Sequence, residues 1–143
     1  SEAIAKNLFV MSQLKTPIIS VVIGEGGSGG ALAIGLADKT LMLEYSVFSV
    51  ISPEGCASIL WKNAGKAEES AKQMQLTSAK LKGLGLINRI ISEPLGGAHR
   101  NIEIASQNIK EALMEELMPL LNKPDDILLE ERNAKYRSIQ TDL

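Results

Sequence analysis

The sequence has one cysteine, Cys56, and one histidine, His99. A single thiol excludes an internal disulfide and a cysteine-rich zinc site, and it is compatible with a reducing, cytoplasmic setting. Nucleophile and imidazole base do not stand out as a pair. Aromatic residues make up only 3% of the chain, so a core must be built from Ile, Leu, Val, Ala and Met. Positive charge is not in excess: 15 Lys and Arg face 17 Asp and Glu, a net charge of −2. That excludes the basic field that nucleic-acid binding requires. No apolar run reaches the roughly 18 residues of a membrane-spanning helix, and no charged-then-apolar signal segment opens the chain. The chain starts at Ser1, without Met, in what already reads as a helix, so the expectation is a portion of something longer.

The 143 residues make one ordinary domain by length, and 45% of them are hydrophobic. Residues 1–14 set Ile4, Leu8, Met11 and Leu14 at helical spacing, up to a stop at Pro17. Residues 18–24 form a β-branched run of the kind found in strands buried on both faces. A glycine loop follows, then a small, apolar helix over 30–37 and two short strands over 40–44 and 47–52. Ser52 and Pro53 are a helix start, with Ser as N-cap and Pro at the first helical position. Helices are also expected over 66–74, with Ala67, Ala71 and Met74 inward, and over 78–83, capped by Thr77. A strand over 86–92 and a loop over 93–100 come next. A longer helix from Asn101 then carries Ile102, Ala105, Ile109, Leu113 and Leu117 on one face. Pro119 and Pro124 are expected to interrupt it, before a charged helical segment over 125–139. The organisation is thus a core over 1–118 and a helical extension over 119–143. Short strands alternating with helices indicate an α/β fold.

The stretch VVIGEGGSGGALAIG, residues 21–35, demands an explanation, because five of the seven residues from Gly24 to Gly30 are glycine. Each glycine inside an element costs about 0.5–1 kcal/mol relative to Ala. A P-loop fails, since Gly30 and Ala31 stand where Lys and Ser/Thr should be. A dinucleotide site is a better match: Gly24, Gly26 and Gly29 fit G-x-G-x-x-G, and Glu44 lies twenty residues on, where a ribose-binding acid would sit. Against it, the following helix is short and contains Gly35, and another strand comes almost directly after Glu44. A third possibility is an oxyanion site. Glycines at a strand-to-helix junction let backbone N–H groups point outward at a helix N-terminus, where the macrodipole adds to their effect. A well-placed donor is worth about 2.7–4 kcal/mol to a transition state. The plain alternative is close helix–strand packing.

Three blocks together narrow the choice: VVIGEGGSGGALAIG at 21–35, VISPEGCASILWK at 50–62 and SEPLGGAHR at 92–100, with SEAIAKNL at the front. Their order and spacing resemble the carboxyltransferase α subunit of bacterial and plastid acetyl-CoA carboxylase, over essentially the whole chain. The resemblance implies a crotonase-like (crotonase/ClpP-like) α/β fold of stacked ββα units with C-terminal helices, here a partial domain. It implies transfer of a carboxyl group from carboxybiotin to acetyl-CoA, giving malonyl-CoA, the first committed step of fatty acid biosynthesis. Biotin would ride on a separate biotin carboxyl carrier protein, charged by biotin carboxylase. A zinc-bearing β subunit would complete the active site in an α2β2 assembly, with no metal held by this chain and the fragment inactive alone. Nucleic acid and membrane are not among the partners implied.

Both species formed in such a transfer, the decarboxylated ureido group and the enolate of acetyl-CoA, carry negative charge on oxygen. The protein then needs donors and positioning more than a side-chain base. By the resemblance, the amides of Gly29 and Gly30 would hold the biotin carbonyl oxygen. Gly26 and Gly27 are the second choice, with the turn out of the strand as their alternative job. Glu25 could hydrogen-bond substrate or local backbone. Ser28 could donate to ligand or satisfy its own turn. Glu54 could act near the reaction centre or only suit the dipole of its helix. Cys56 reads as a small core residue and Trp61 as core or interface. His99 and Arg100 could meet substrate or carrier, or be structural.

Overall fold

The computed structural model describes residues 2–74 and 76–138. Residues 1 and 139, the outer ends of two predicted helices, lie outside them. The order of elements is α1 (Glu2–Ser12), β1 (Ile19–Val22), β2 (Glu25–Gly27), α2 (Ser28–Gly35), β3 (Lys39–Leu43), β4 (Val47–Ser49), α3 (Pro53–Trp61), α4 (Ala67–Met74), α5 (Ser78–Gly83), β5 (Arg89–Ile91), α6 (Ile102–Leu121) and α7 (Asp125–Arg137). Short 3₁₀ turns cover Ala64–Lys66 and Ala98–Arg100.

Two parallel sheets share the strands. One has the order β1-β3-β5 and the other pairs β2 with β4. The chain therefore repeats one move: a strand in the first sheet, a strand in the second, then a helix. β1, β2 and α2 make one such ββα unit, and β3, β4 and α3 the next.

The core sits on both faces of β3. Successive side chains of a strand point to opposite faces. Met42 joins Val22, Leu81 and Ile87 on one side, while Leu41 and Leu43 join Ile91 and Ala112 on the other. The strand buried on both faces is thus β3. The β-branched run predicted for that role became β1, which lies outermost in the sheet and is mostly half-buried.

Other departures have local causes. α1 packs near α7 but buries none of its residues, and its predicted stripe is open to solvent at Ile4 and Leu14. In α6 the buried line runs through Ala105, Ala112 and Leu120, and Ile102 is 74% exposed. Pro119 does not stop α6: it sits in the last turn, on the exposed side, and the helix ends two residues later. Pro124 does act as punctuation, as the residue from which α7 starts. Ser52 caps α3 as expected, accepting from the Gly55 amide at 3.1 Å. Thr77 precedes α5, but its side chain makes no capping bond.

α7 is fastened to the rest by charge. Arg132 is 1% exposed. Its guanidinium meets both carboxylate oxygens of Asp38 at 2.8 Å, and donates to the carbonyls of Met11, Leu14 and Thr16. Every donor arm of this buried cation is therefore used, which is the condition for tolerating it in the interior.

Candidate functional site: a glycine-rich strand-to-helix junction

The glycine segment is not a loop. Glu25–Gly27 is a strand paired in parallel register with Val47–Ser49, and α2 starts at Ser28, two residues earlier than the sequence suggested. Gly26 is buried, and a Cβ built on it would lie 3.0 Å from Phe48 Cδ2 and 3.4 Å from Ile34 and Val22. Glycine is needed here for close packing of strand and helix. Gly27 is extended, at φ −140° and ψ 163°. The turn job expected of Gly26 and Gly27 falls to Ser28, whose φ of 54° lies in the left-handed region. That conformation costs a non-glycine residue about 1–2 kcal/mol, and it swings the chain from strand into helix in one residue.

Gly29 and Gly30 then occupy the first turn of α2. The first N–H groups of a helix have no intrahelical acceptor. No side chain caps this end, and no acidic residue lies in its first turn. A Cβ at Gly29 or Gly30 would meet nothing within 4 Å. A side chain would thus find room at either position, and the first-turn amides carry the positive end of the helix dipole. An apolar cavity of about 520 Å³ beside α2 is lined by Ala31, Leu32, Phe48, Val50 and Ile51, among others.

The parallel register brings a second predicted block beside the first. Gly27 pairs with Ser49, so β2 and β4 end side by side. Each then feeds a helix, α2 directly and α3 through the Ser52 cap. Glu54 is exposed in the first turn of α3, and Glu25 is exposed at the start of β2. Ser28 is exposed as well. The two blocks of sequence thus converge on one edge of the small sheet. Ligands of open parallel sheets bind at such carboxyl ends.

The remaining candidates lie apart. Glu44 follows β3 and is exposed; its carboxylate accepts from the Glu93 amide at 3.4 Å. Cys56 is half-buried in α3, and Trp61 carries the Lys66 ammonium 5.6 Å from its ring centre. His99 and Arg100 are exposed in the 3₁₀ turn of the loop after β5. That loop is pinned by a residue that sequence reasoning missed: the Glu93 carboxylate accepts from the Tyr45 amide at 2.7 Å and the Ala98 amide at 2.8 Å. The dinucleotide reading does not survive this geometry. It needs glycines in a loop between adjacent strands of one sheet, whereas Gly26 lies inside a strand of the second sheet. Among the described residues, no group of three or more His, Cys, Asp or Glu could hold a metal ion, and no helix is long and apolar enough to cross a membrane.

Known proteins share this fold. Among solved structures, a Pseudomonas malonate decarboxylase hetero-tetramer in complex with coenzyme A aligns with a TM-score of 0.70 at 20% identity, over 95% of this chain and 56% of that one. An enoyl-CoA hydratase from Mycobacterium avium subsp. paratuberculosis aligns at 0.58 and 20% identity, over 98% and 57%. The fold is therefore crotonase-like, as the sequence resemblance implied. The acetyl-coenzyme A carboxylase carboxyl transferase subunit alpha of Xanthomonas campestris pv. campestris is 59% identical over 138 residues, 96% of this chain and 43% of that protein. The same subunit of Hydrogenovibrio crunogenus is 58% identical over 136 residues, 95% and 43%. The chain spans less than half the length of these curated relatives. The model of the family described as acetyl co-enzyme A carboxylase carboxyltransferase-like matches residues 1–140. By that match and these identities, the chain belongs to the acetyl-CoA carboxylase carboxyltransferase α family.

Proposed function

We propose that this chain forms part of the α subunit of a carboxyltransferase that moves a carboxyl group from carboxybiotin to acetyl-CoA, giving malonyl-CoA, with the amides of Gly29 and Gly30 as an oxyanion hole. The observation that carries the proposal is the uncapped start of α2: its first-turn amides have no intrahelical acceptor, and a Cβ at Gly29 or Gly30 would meet nothing within 4 Å, at the edge where β2 and β4 end. The donor set suits the group it would receive. A ureido or thioester carbonyl oxygen accepts hydrogen bonds and gains negative charge in the reaction, and backbone N–H groups can only donate. Biotin, on its carrier protein, supplies the activated carboxyl group. The chain's own residues bind and orient: α2 aims the amides, Ser28 sets their direction, Glu54 borders the same edge as a substrate-contacting candidate, and Glu25, at the other end of β2, is a further candidate. Fixed donors need no reorganisation during reaction, which is where their advantage over water lies.

The partners that complete the reading are a zinc-bearing β subunit, the biotin carboxyl carrier protein, biotin carboxylase and acetyl-CoA, in a cytoplasmic α2β2 carboxyltransferase. The test is carboxyl transfer from malonyl-CoA to biotin by the full-length α subunit mixed with its β subunit. Transfer that requires both chains, and that falls about a hundredfold or more in Gly29→Val with assembly intact, is the expected result. Absence of transfer in the unmodified pair would overturn the reading.

A further inference from the structure

The helix that presents the donors is held at its other end by α7. Leu128, Arg132 and Lys135 lie at helical spacing on the inner side of α7, the first two buried and the third half-buried. The Lys135 ammonium donates to the carbonyl of Ala37 at 2.9 Å and to Thr40 Oγ1 at 3.2 Å. Ala37 is the second residue beyond α2, and Thr40 Oγ1 in turn donates to the carbonyl of Ile34, in the last turn of α2, at 3.5 Å. A cation thus sits at the negative end of the helix whose positive end carries Gly29 and Gly30. One turn back along α7, Arg132 holds Asp38, and the Asp38 carboxylate accepts from the Ile18 amide at 2.7 Å, just ahead of β1. The first ββα unit is therefore gripped at both ends by one helix: where β1 begins, through Asp38, and where α2 finishes, through Lys135.

We propose that Lys135 is a positioning residue for the carboxyl-transfer site, acting through α2 by fixing its C-terminal end so that the first-turn amides keep their aim. The inference rests on the function proposed above. α2 has only eight residues and no side-chain cap at its N-terminal end. An error of about 1 Å in the position of a catalytic group can cost a hundredfold in rate, so slack at Ala37 reaches the donors at the other end of so short a rod. Ground-state binding depends on other contacts as well, and responds less.

The test is made in the full-length α subunit assembled with its β subunit, with two readouts. The first is hydrogen exchange of amides 32–37, in α2 and the two residues after it, which reports opening of the helix whatever reaction the complex performs. The second is steady-state carboxyl transfer. Lys135→Met is expected to speed exchange in α2 by about tenfold, and to lower kcat by about tenfold while KM moves less than about twofold. Lys135→Arg, which keeps the cation, restores both. Thr40→Val, which removes one of the two acceptors, gives a smaller change in the same direction and serves if Lys135→Met fails to assemble. Unchanged exchange in these variants overturns the brace, and so does faster exchange with undiminished kcat. If the unmodified complex performs no carboxyl transfer, the reaction assignment fails by itself, and the exchange readout decides the brace.

Discussion

Two glycines three residues apart serve different ends. At Gly26 the backbone must approach Phe48, and even a methyl group would stand 3.0 Å from its ring. At Gly29 the same methyl would project into open space. Gly26→Ala is therefore expected to destabilise the protein by about 1–3 kcal/mol, the usual cost of overpacking. Gly29→Ala should be neutral or slightly stabilising, since alanine is the better helix residue by about 1 kcal/mol. Chemical denaturation of the two variants checks the contrast; equal losses would show that both glycines only provide room for packing. Ser28 marks the limit of reading glycine as the residue of unusual turns. The left-handed residue in this segment is the serine, flanked by glycines on both sides, and strain of this kind is characteristic of functional junctions.

At the scale of elements, most of the secondary structure was legible, because its signals are local. The Ser52–Pro53 start of α3 is a capping pattern, and the apolar runs of β1 and β3 are strand patterns. The assignment of β2 was not legible, since Glu-Gly-Gly has no strand propensity. It is a strand because β4 offers it a ladder, and only the tertiary pairing shows this. The buried Arg132 was equally hidden. A charged segment near the end of a sequence reads as a solvated helix, and its partner Asp38 lies 94 residues away. Asp38→Ala should cost about 3–5 kcal/mol, the usual penalty for stranding one member of a buried pair; a loss below about 1 kcal/mol in urea denaturation would show that the clamp is dispensable. Lys135, beside it, adds a pH dependence. Burial pushes its ammonium from 10.5 down to about 8, against the pull of Asp38 and with a smaller push from Lys39. Arg132 and Glu131 line the same polar cavity as Lys135. Between these two values the unfolded chain holds a proton that the folded chain has released. This group's contribution to stability is therefore flat below about pH 8 and rises from there towards 10.5. Unfolding of the unmodified protein and of Lys135→Met, compared across pH 7 to about 11, should show this rise only in the former; parallel curves would contradict it.

For the whole molecule, the sequence resemblance and the structural likeness agree on the fold, and the family model matches residues 1–140. The fold places two helix starts at one edge of a two-stranded sheet, and one of them, in α2, is bare of any side-chain cap. Large apolar side chains stay exposed nearby and elsewhere, including Leu32, Val50, Ile59 and Leu60. Such surfaces suit a chain that spans 43% of its relatives and that is proposed to work against a partner subunit. The central claim is that backbone amides at the start of α2 do the chemical work. It is tested most directly by deleting one of them without filling the site. Gly30→Pro does so. Proline is tolerated in the first turn of a helix, and the preceding Gly29 has no Cβ to clash with its ring. The measurement is malonyl-CoA-to-biotin carboxyl transfer by the full-length α subunit carrying Gly30→Pro, assembled with its β subunit. A fall in kcat of about 10²–10³-fold with assembly and thermal midpoint retained is the expected result, and an undiminished kcat in the assembled variant would contradict the account.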